Sequence, residues 1–123
     1  PNTGVICVFS RVLDRFGGMM RLMGQGIIPS WWIEDIRSNG DPTAWQKGDF
    51  ADLFPGGRYR SKWYQSGFVS EAFCAIGIHG QWLWIDPKRE VVIAKVSNQS
   101  DPENDDIDLM LIQSFEAIAE AVS

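Results

Sequence analysis

The chain has 123 residues, 45% of them hydrophobic and 22% charged, with a formal net charge of −5. That is the composition of an ordinary globular domain, and it excludes a disordered, collagen-like or disulfide-dense chain. With 11 Lys/Arg against 16 Asp/Glu there is no basic surplus for a nucleic-acid partner.

The charge is uneven. Residues 1–62 carry 8 Lys/Arg and 6 Asp/Glu, whereas residues 63–123 carry 3 and 10. Two cysteines, Cys7 and Cys74, sit in apolar runs and read as buried thiols of a reducing, cytoplasmic compartment; the alternative is a disulfide between them. The longest central stretch without a charge, Ala72 to Ile85, is too short and too polar to span a membrane. No signal peptide is visible.

Val5 to Phe9 is β-branched and apolar and predicts a strand. Ser10 then caps a helix on which Val12, Leu13, Phe16, Met19, Met20 and Met23 recur at helical spacing, ended by Gly24 and Gly26. Pro29-Ser30 opens a second helix, Trp31 to Arg37. Residues 41–58 have no clean period and read as a long irregular loop. Strands follow at Arg60 to Gln65, Ala72 to Ile78, Trp82 to Ile85 and Val91 to Val96. The polar turn Asp86-Pro87-Lys88-Arg89-Glu90 makes the last two a hairpin, and their continuous apolar runs predict cover on both faces. A final helix, from about Asp106 to Val122, carries Ile107, Leu111, Phe115, Ile118 and Val122 on one face. Leu109, Met110, Ile112 and Ala119 widen that face, so the helix is expected to pack deeply. The expected fold is α+β: one domain, 1–123, with an antiparallel sheet of three to four strands, N-terminal helices and a packed C-terminal helix.

The most informative stretch runs Ala75-Ile76-Gly77-Ile78-His79-Gly80-Gln81, then an apolar strand and Asp86-Pro87. Glycines at a strand end mark a bend or a close approach. This stretch resembles the C-terminal region of 6-aminohexanoate-dimer hydrolases, which are serine hydrolases of the β-lactamase and penicillin-binding superfamily. Support comes from Thr3-Gly4-Val5-Ile6-Cys7 through Met20, from Arg58-Tyr59 with Trp63-Tyr64, and from Lys95-Val96-Ser97 with Asp101-Pro102.

The resemblance implies amide or ester hydrolysis in the intact enzyme. It places Ala75-Ile76-Gly77 where penicillin-recognising relatives carry Lys-Thr/Ser-Gly, and it makes the backbone N–H of Ile78 an oxyanion donor. Ala75, Ile76, Gly77, Ile78 and His79 are then the substrate-binding stretch. The family places a His in the acidic loop where this sequence has Asp108. No Ser here has Lys three residues on, and Tyr-x-Asn is missing. The resemblance puts both motifs upstream of Pro1, so this chain carries no catalytic side chain and is expected to be inactive alone.

Other chemistries are weaker. His79, the only histidine, lacks a nucleophile-elbow sequence. One His and two separated Cys do not make a zinc site. The run from Asp101 to Asp108 has Asp106 where a calcium loop needs Gly, and Ile112 where it needs Glu. No metal and no cofactor is expected. Arg58, Arg60 and Lys62 beside Tyr59, Trp63 and Tyr64 are thin support for single-stranded nucleic acid. A second reading is a non-catalytic module built on this part of the fold, binding a small molecule or pairing through an open sheet edge as a homo-oligomer.

Overall fold

The computed structural model describes residues 4–7 and 11–123, with side chains from Arg15 onward. Ser10, the expected helix cap, and Val8-Phe9 lie outside the described residues.

The elements in chain order are β1 (Gly4–Cys7), α1 (Arg11–Arg21), α2 (Ser30–Ser38), α3 (Pro42–Gln46), β2 (Arg58–Arg60), β3 (Trp63–Gln65), β4 (Phe73–Gly77), β5 (Gln81–Asp86), β6 (Val91–Lys95) and α4 (Asp105–Val122). One 3-10 turn, Ile78–Gly80, joins β4 to β5. The strand order is β1-β6-β5-β4-β3-β2. Strands β2 to β6 are antiparallel neighbours, and β1 adds a parallel strand beside β6.

The α+β class, the antiparallel sheet and the helices at both ends are as expected. The sheet is wider than three to four strands for two reasons. The Gly4–Cys7 segment joins it. The stretch expected as one strand, Arg60 to Gln65, is a hairpin: Ser61 (φ 51°) and Lys62 (φ 76°) reverse the chain so that Arg60 faces Trp63. The outer strand β2 is three residues long with arginines at both ends, which blunts that edge.

β5 is buried on both sides because its side chains alternate between two cores. Trp82 and Trp84 meet Ile112, Phe115 and Ala119 of α4, together with Trp45 and Phe54. Leu83 and Ile85 meet Met20 of α1 and Ile33 and Ile36 of α2, with Phe73 and Trp63. Gly17 lets α1 lie close on the sheet, since a Cβ there would come within 2.5 Å of Val92 Cγ1.

The expected loop 41–58 begins as a helix. Asp41 caps α3 by accepting from the N–H groups of Thr43 (2.9 Å) and Ala44 (3.2 Å), with Pro42 at the first position. Trp45 of α3 donates its indole N–H to the Phe54 carbonyl (2.7 Å), fixing this segment over the face that α4 also covers.

Helix α4 is less deeply packed than its sequence suggests. Its buried stripe is Asp108, Ile112, Phe115 and Ala119, whereas Leu109, Met110 and Val122 are exposed. Both sides of an 18-residue helix carry apolar residues, and only the side facing Trp82 and Trp84 finds a partner. Arg89, in the β5–β6 turn, anchors the helix through Glu116 (3.0 Å) and also reaches buried Asp86 (3.5 Å).

Cys74 is a free, fully buried thiol, and burial pushes its pKa well above the ordinary range. Cys7 pairs with Ala94, three strands from Cys74's own strand. That separation is about 14 Å at ordinary strand spacing, so the two cannot form a disulfide. The side chain of Cys7 lies outside the described residues. Among the described residues, no helix is long and apolar enough to cross a membrane.

Candidate functional site

β4 runs further than its neighbour β3. Their pairing is Tyr64 with Cys74 and Gln65 with Phe73, after which the chain turns away into the β2–β3 hairpin. The end of β4 therefore lies open on that side. A cleft of about 190 Å³ opens there, lined by Ile76, Gly77 and Ile78 of the strand end. Phe50 and Tyr64 form a second wall. Pro102, Glu103 and Asp108 close it from the segment leading into α4.

Three of the five expected binding residues, Ile76, Gly77 and Ile78, thus come together. Ile78 is 61% exposed. Ala75 belongs to the other face of the sheet, against the core under α1 and α2, because neighbouring residues of a strand point oppositely. His79 does not line the cleft. Its φ of 61° turns the chain. Its Nδ1 lies 2.9 Å from the Gln99 carbonyl, and its backbone N–H donates to the Pro102 carbonyl at 2.9 Å. The side chain therefore supports the cleft by tying its two rims together.

The rest of the motif has the same task. Gly80 (φ 80°) completes the turn, and its carbonyl accepts from Lys95 Nζ at 2.8 Å. Gln81 extends the β5–β6 ladder with its side chain: Oε1 accepts from the Ser97 N–H (3.1 Å) and Nε2 donates to the Ser97 carbonyl. The Gly-Ile-His-Gly-Gln stretch is thus a turn stitched at three successive residues to the segment 95–102.

Asp108 sits one turn into α4, whose N-cap Asn104 accepts from the Ile107 N–H at 3.1 Å. Asp108 is 6% exposed. Burial, with the charges of Asp105 and Glu103 behind it, raises its pKa against a smaller opposing effect of Lys95. Burial likewise raises the pKa of Tyr64, with smaller contributions from Tyr59, Cys74 and Glu103, so its hydroxyl stays a neutral donor. Tyr64 is held edge-on by Trp45, Phe50 and Tyr59 at 5.9, 5.7 and 5.0 Å.

Sequence reasoning did not bring Phe50, Tyr64 and Asp108 to one place. Phe50 lies in the stretch expected as an irregular loop, and Asp108 stands out only as the end of the acidic run and as a departure from the resemblance. Among the described residues, no group of three or more His, Cys, Asp or Glu could hold a metal ion.

No family model matches the chain. It is 36% identical over 106 residues to the 6-aminohexanoate-dimer hydrolase of Paenarthrobacter ureafaciens, covering 83% of this chain and 27% of that protein. The chain is similar to a segment of that hydrolase. The same likeness holds in three dimensions. A Bacillus anthracis structure, provisionally described as a 6-aminohexanoate-dimer hydrolase, superposes with a TM-score of 0.66 at 26% identity. The superposition covers 90% of this chain and 28% of the other. The chain therefore spans little more than a quarter of the relatives it matches, and the resemblance read from Ala75 to Pro87 stands on both sequence and fold.

Proposed function

We propose that this chain forms the sheet-edge and C-terminal-helix part of a serine hydrolase that cleaves amides or esters by acyl transfer. In this reading the backbone N–H of Ile78 donates to the oxyanion of the tetrahedral intermediate. A rigid strand-end amide suits that task because it needs no reorganisation as charge develops. The nucleophile comes from a segment carrying Ser-x-x-Lys, which these 123 residues lack. The observation that carries the reading is the open end of β4, with Ile76, Gly77 and Ile78 bordering a cleft. Gly77 packs closely on its partner Gln81, where a Cβ would come within 3.1 Å of the Gln81 Cβ, and His79 and Gln81 hold the turn rigid from behind.

The pure chain is expected to turn over neither nitrophenyl esters nor 6-aminohexanoate dimer. Co-expression with an upstream hydrolase segment bearing Ser-x-x-Lys is expected to give ester hydrolysis. Ile78→Pro deletes the donor cleanly. Gly77 already has the extended backbone (φ −112°, ψ 159°) that precedes proline, and position 78 opens the 3-10 turn. Loss of one oxyanion donor should lower turnover by roughly 10²-fold. Turnover by the chain alone, abolished by a Ser→Ala change within it, overturns the reading. So does a complemented activity indifferent to Ile78→Pro.

A further inference from the structure

Arg37, on α2, is held on three sides. Its guanidinium stands over the Phe73 ring, 5.8 Å from the centroid. Nη2 lies 3.6 Å from a Glu71 carboxylate oxygen. Nη1 donates to the Met23 sulfur at 3.4 Å. A thioether is a weak acceptor, so this arm of a charged donor is poorly used. Met23 meets Arg37 because α1 ends there. Met23 takes a left-handed conformation (φ 57°), and Gly24 follows at φ 87°, where a Cβ would come within 2.1 Å of the Ile28 carbonyl oxygen.

A cavity of about 300 Å³ opens beside this pair, lined by Met23, Glu34, Arg37, Ser38 and Glu71. It admits a small polar oxidant to the sulfur. The chain has four methionines, and their access differs. Met20 is fully buried, Met19 and Met23 are half-buried, and Met110 is 56% exposed. Oxidation of a half-buried methionine disrupts packing, because a polar S–O group replaces an apolar sulfur. At Met23 the new oxygen is added to an atom 3.4 Å from a guanidinium nitrogen. A weak N–H···S contact then becomes a charge-assisted N–H···O bond.

We infer that Met23 is a peroxide-oxidation site whose sulfoxide is captured by Arg37. Hydrogen peroxide gives one oxygen to the thioether: the S–O bond forms, the O–O bond breaks, the sulfur loses two electrons and the peroxide leaves as water. Arg37 keeps its protons and donates through Nη1 to the sulfoxide oxygen. Nη2 remains with Glu71. The oxidised residue ties the end of α1 to α2 more firmly than the thioether does. Neither residue lines the cleft at the end of β4, so the inference is independent of the hydrolase reading.

The test treats the whole chain, carrying Met19→Leu and Met110→Leu, with hydrogen peroxide. Peptide masses locate the added oxygen, and urea unfolding is followed before and after. Met23 is expected to gain one oxygen before Met20 does, with the urea midpoint kept or raised. In Arg37→Gln the same oxidation should lower the midpoint. Its effect on the folding equilibrium constant should be about tenfold less favourable than with Arg37 present, as a hydrogen bond to a charged group implies. Comparing oxidised with reduced protein in each background removes the cost of the substitution itself. Glu71→Gln keeps the donor and should keep the capture. A second measurement leaves Arg37 in place: its guanidinium N–H resonances should shift on oxidation. Met23 left unreacted while Met110 of the unsubstituted chain is fully converted overturns the inference. So does an oxidation cost that is the same with and without Arg37, capture lost in Glu71→Gln, or guanidinium resonances that do not move.

Discussion

Replacing Gln81 by Met tests whether polar bonds, rather than apolar packing, hold the cleft in shape. The methionine keeps the length of the stem and removes the amide. Two bonds to the Ser97 backbone are lost, one at 3.1 Å, together with a weaker contact to the His79 carbonyl at 3.3 Å. A net contribution of about 0.5–1.5 kcal/mol per bond gives about 1–3 kcal/mol for the pair with Ser97. The segment 95–102 remains tied by His79 to Gln99 and Pro102, and by Lys95 to Gly80. Ser97 is also half-buried, so water can take over part of the lost bonding. Both facts put the expected loss in the lower half of that range. Urea unfolding should show a lower midpoint with an unchanged slope. Hydrogen exchange at the Ser97 amide should accelerate about tenfold for each 1.4 kcal/mol lost locally. A midpoint and a Ser97 exchange rate both equal to those of the unmodified chain would refute the idea that Gln81 supports the cleft.

Phe115→Ala should destabilise by about 3–5 kcal/mol, because Phe115 is 3% exposed and packs at 5.6 Å against both Trp82 and Trp84. Denaturation followed by tryptophan fluorescence measures it, and a loss below 1 kcal/mol would mean that α4 is not docked there. Asp108→Asn should make the chain more stable near neutral pH. The folded-state pKa of Asp108 is raised, so the native state binds its proton more tightly than the unfolded chain does. Stability from this group is greatest below the ordinary carboxylate pKa and declines as pH rises through the raised value. The variant's advantage should therefore vanish in acid, and an advantage that grew on acidification would contradict this. Asp35 has the opposite sign. The Arg60 guanidinium (2.7 Å), with Asn39 beside it, lowers its pKa, so its contribution is lost as pH falls through that lowered value. Arg60→Gln should return the Asp35 titration, followed by carboxyl NMR, toward the ordinary range.

Legibility in the sequence followed locality. β5 and β6 could be read because uninterrupted apolar runs flank a polar turn, and their burial on both faces follows from those runs. The β2–β3 hairpin could not, because its turn is Ser61-Lys62. Neither residue signals a positive φ, and Tyr59 and Trp63 to Tyr64 keep a strand-like composition across it. Helix α3 did carry a signal, Asp41-Pro42-Thr43, but five residues are too few to show a period. In α4 the period was real and the buried side ambiguous. Apolar residues at Leu109 and Met110 outweighed Asp108 in any hydropathy count, yet Asp108 faces inward. Hydropathy cannot single out the one charged residue that a helix turns toward a cleft.

The same distinction divides the two parts of the cleft. The strand end at Ile76 to Ile78 and the residues that brace it, His79 and Gln81, occupy one continuous stretch. Its spacing is fixed by the turn, so a short resemblance could locate it. Phe50, Tyr64 and Asp108 reach the cleft from the segment after α3, from β3 and from the start of α4. Nothing local ties them together, and the bonds that hold the turn run instead to Lys95, Ser97, Gln99 and Pro102. The covalent chemistry of the proposed hydrolase thus depends on backbone that only a few residue types can form. Its choice of substrate depends on side chains free to vary around it. On that argument the reaction class proposed above is carried by Gly77 to Gln81, and the shape and charge of the cleft by Phe50, Tyr64 and Asp108. Asp108→Asn should lower the negative charge of the cleft while leaving the bonds of His79, Gly80 and Gln81 to the segment 95–102 in place.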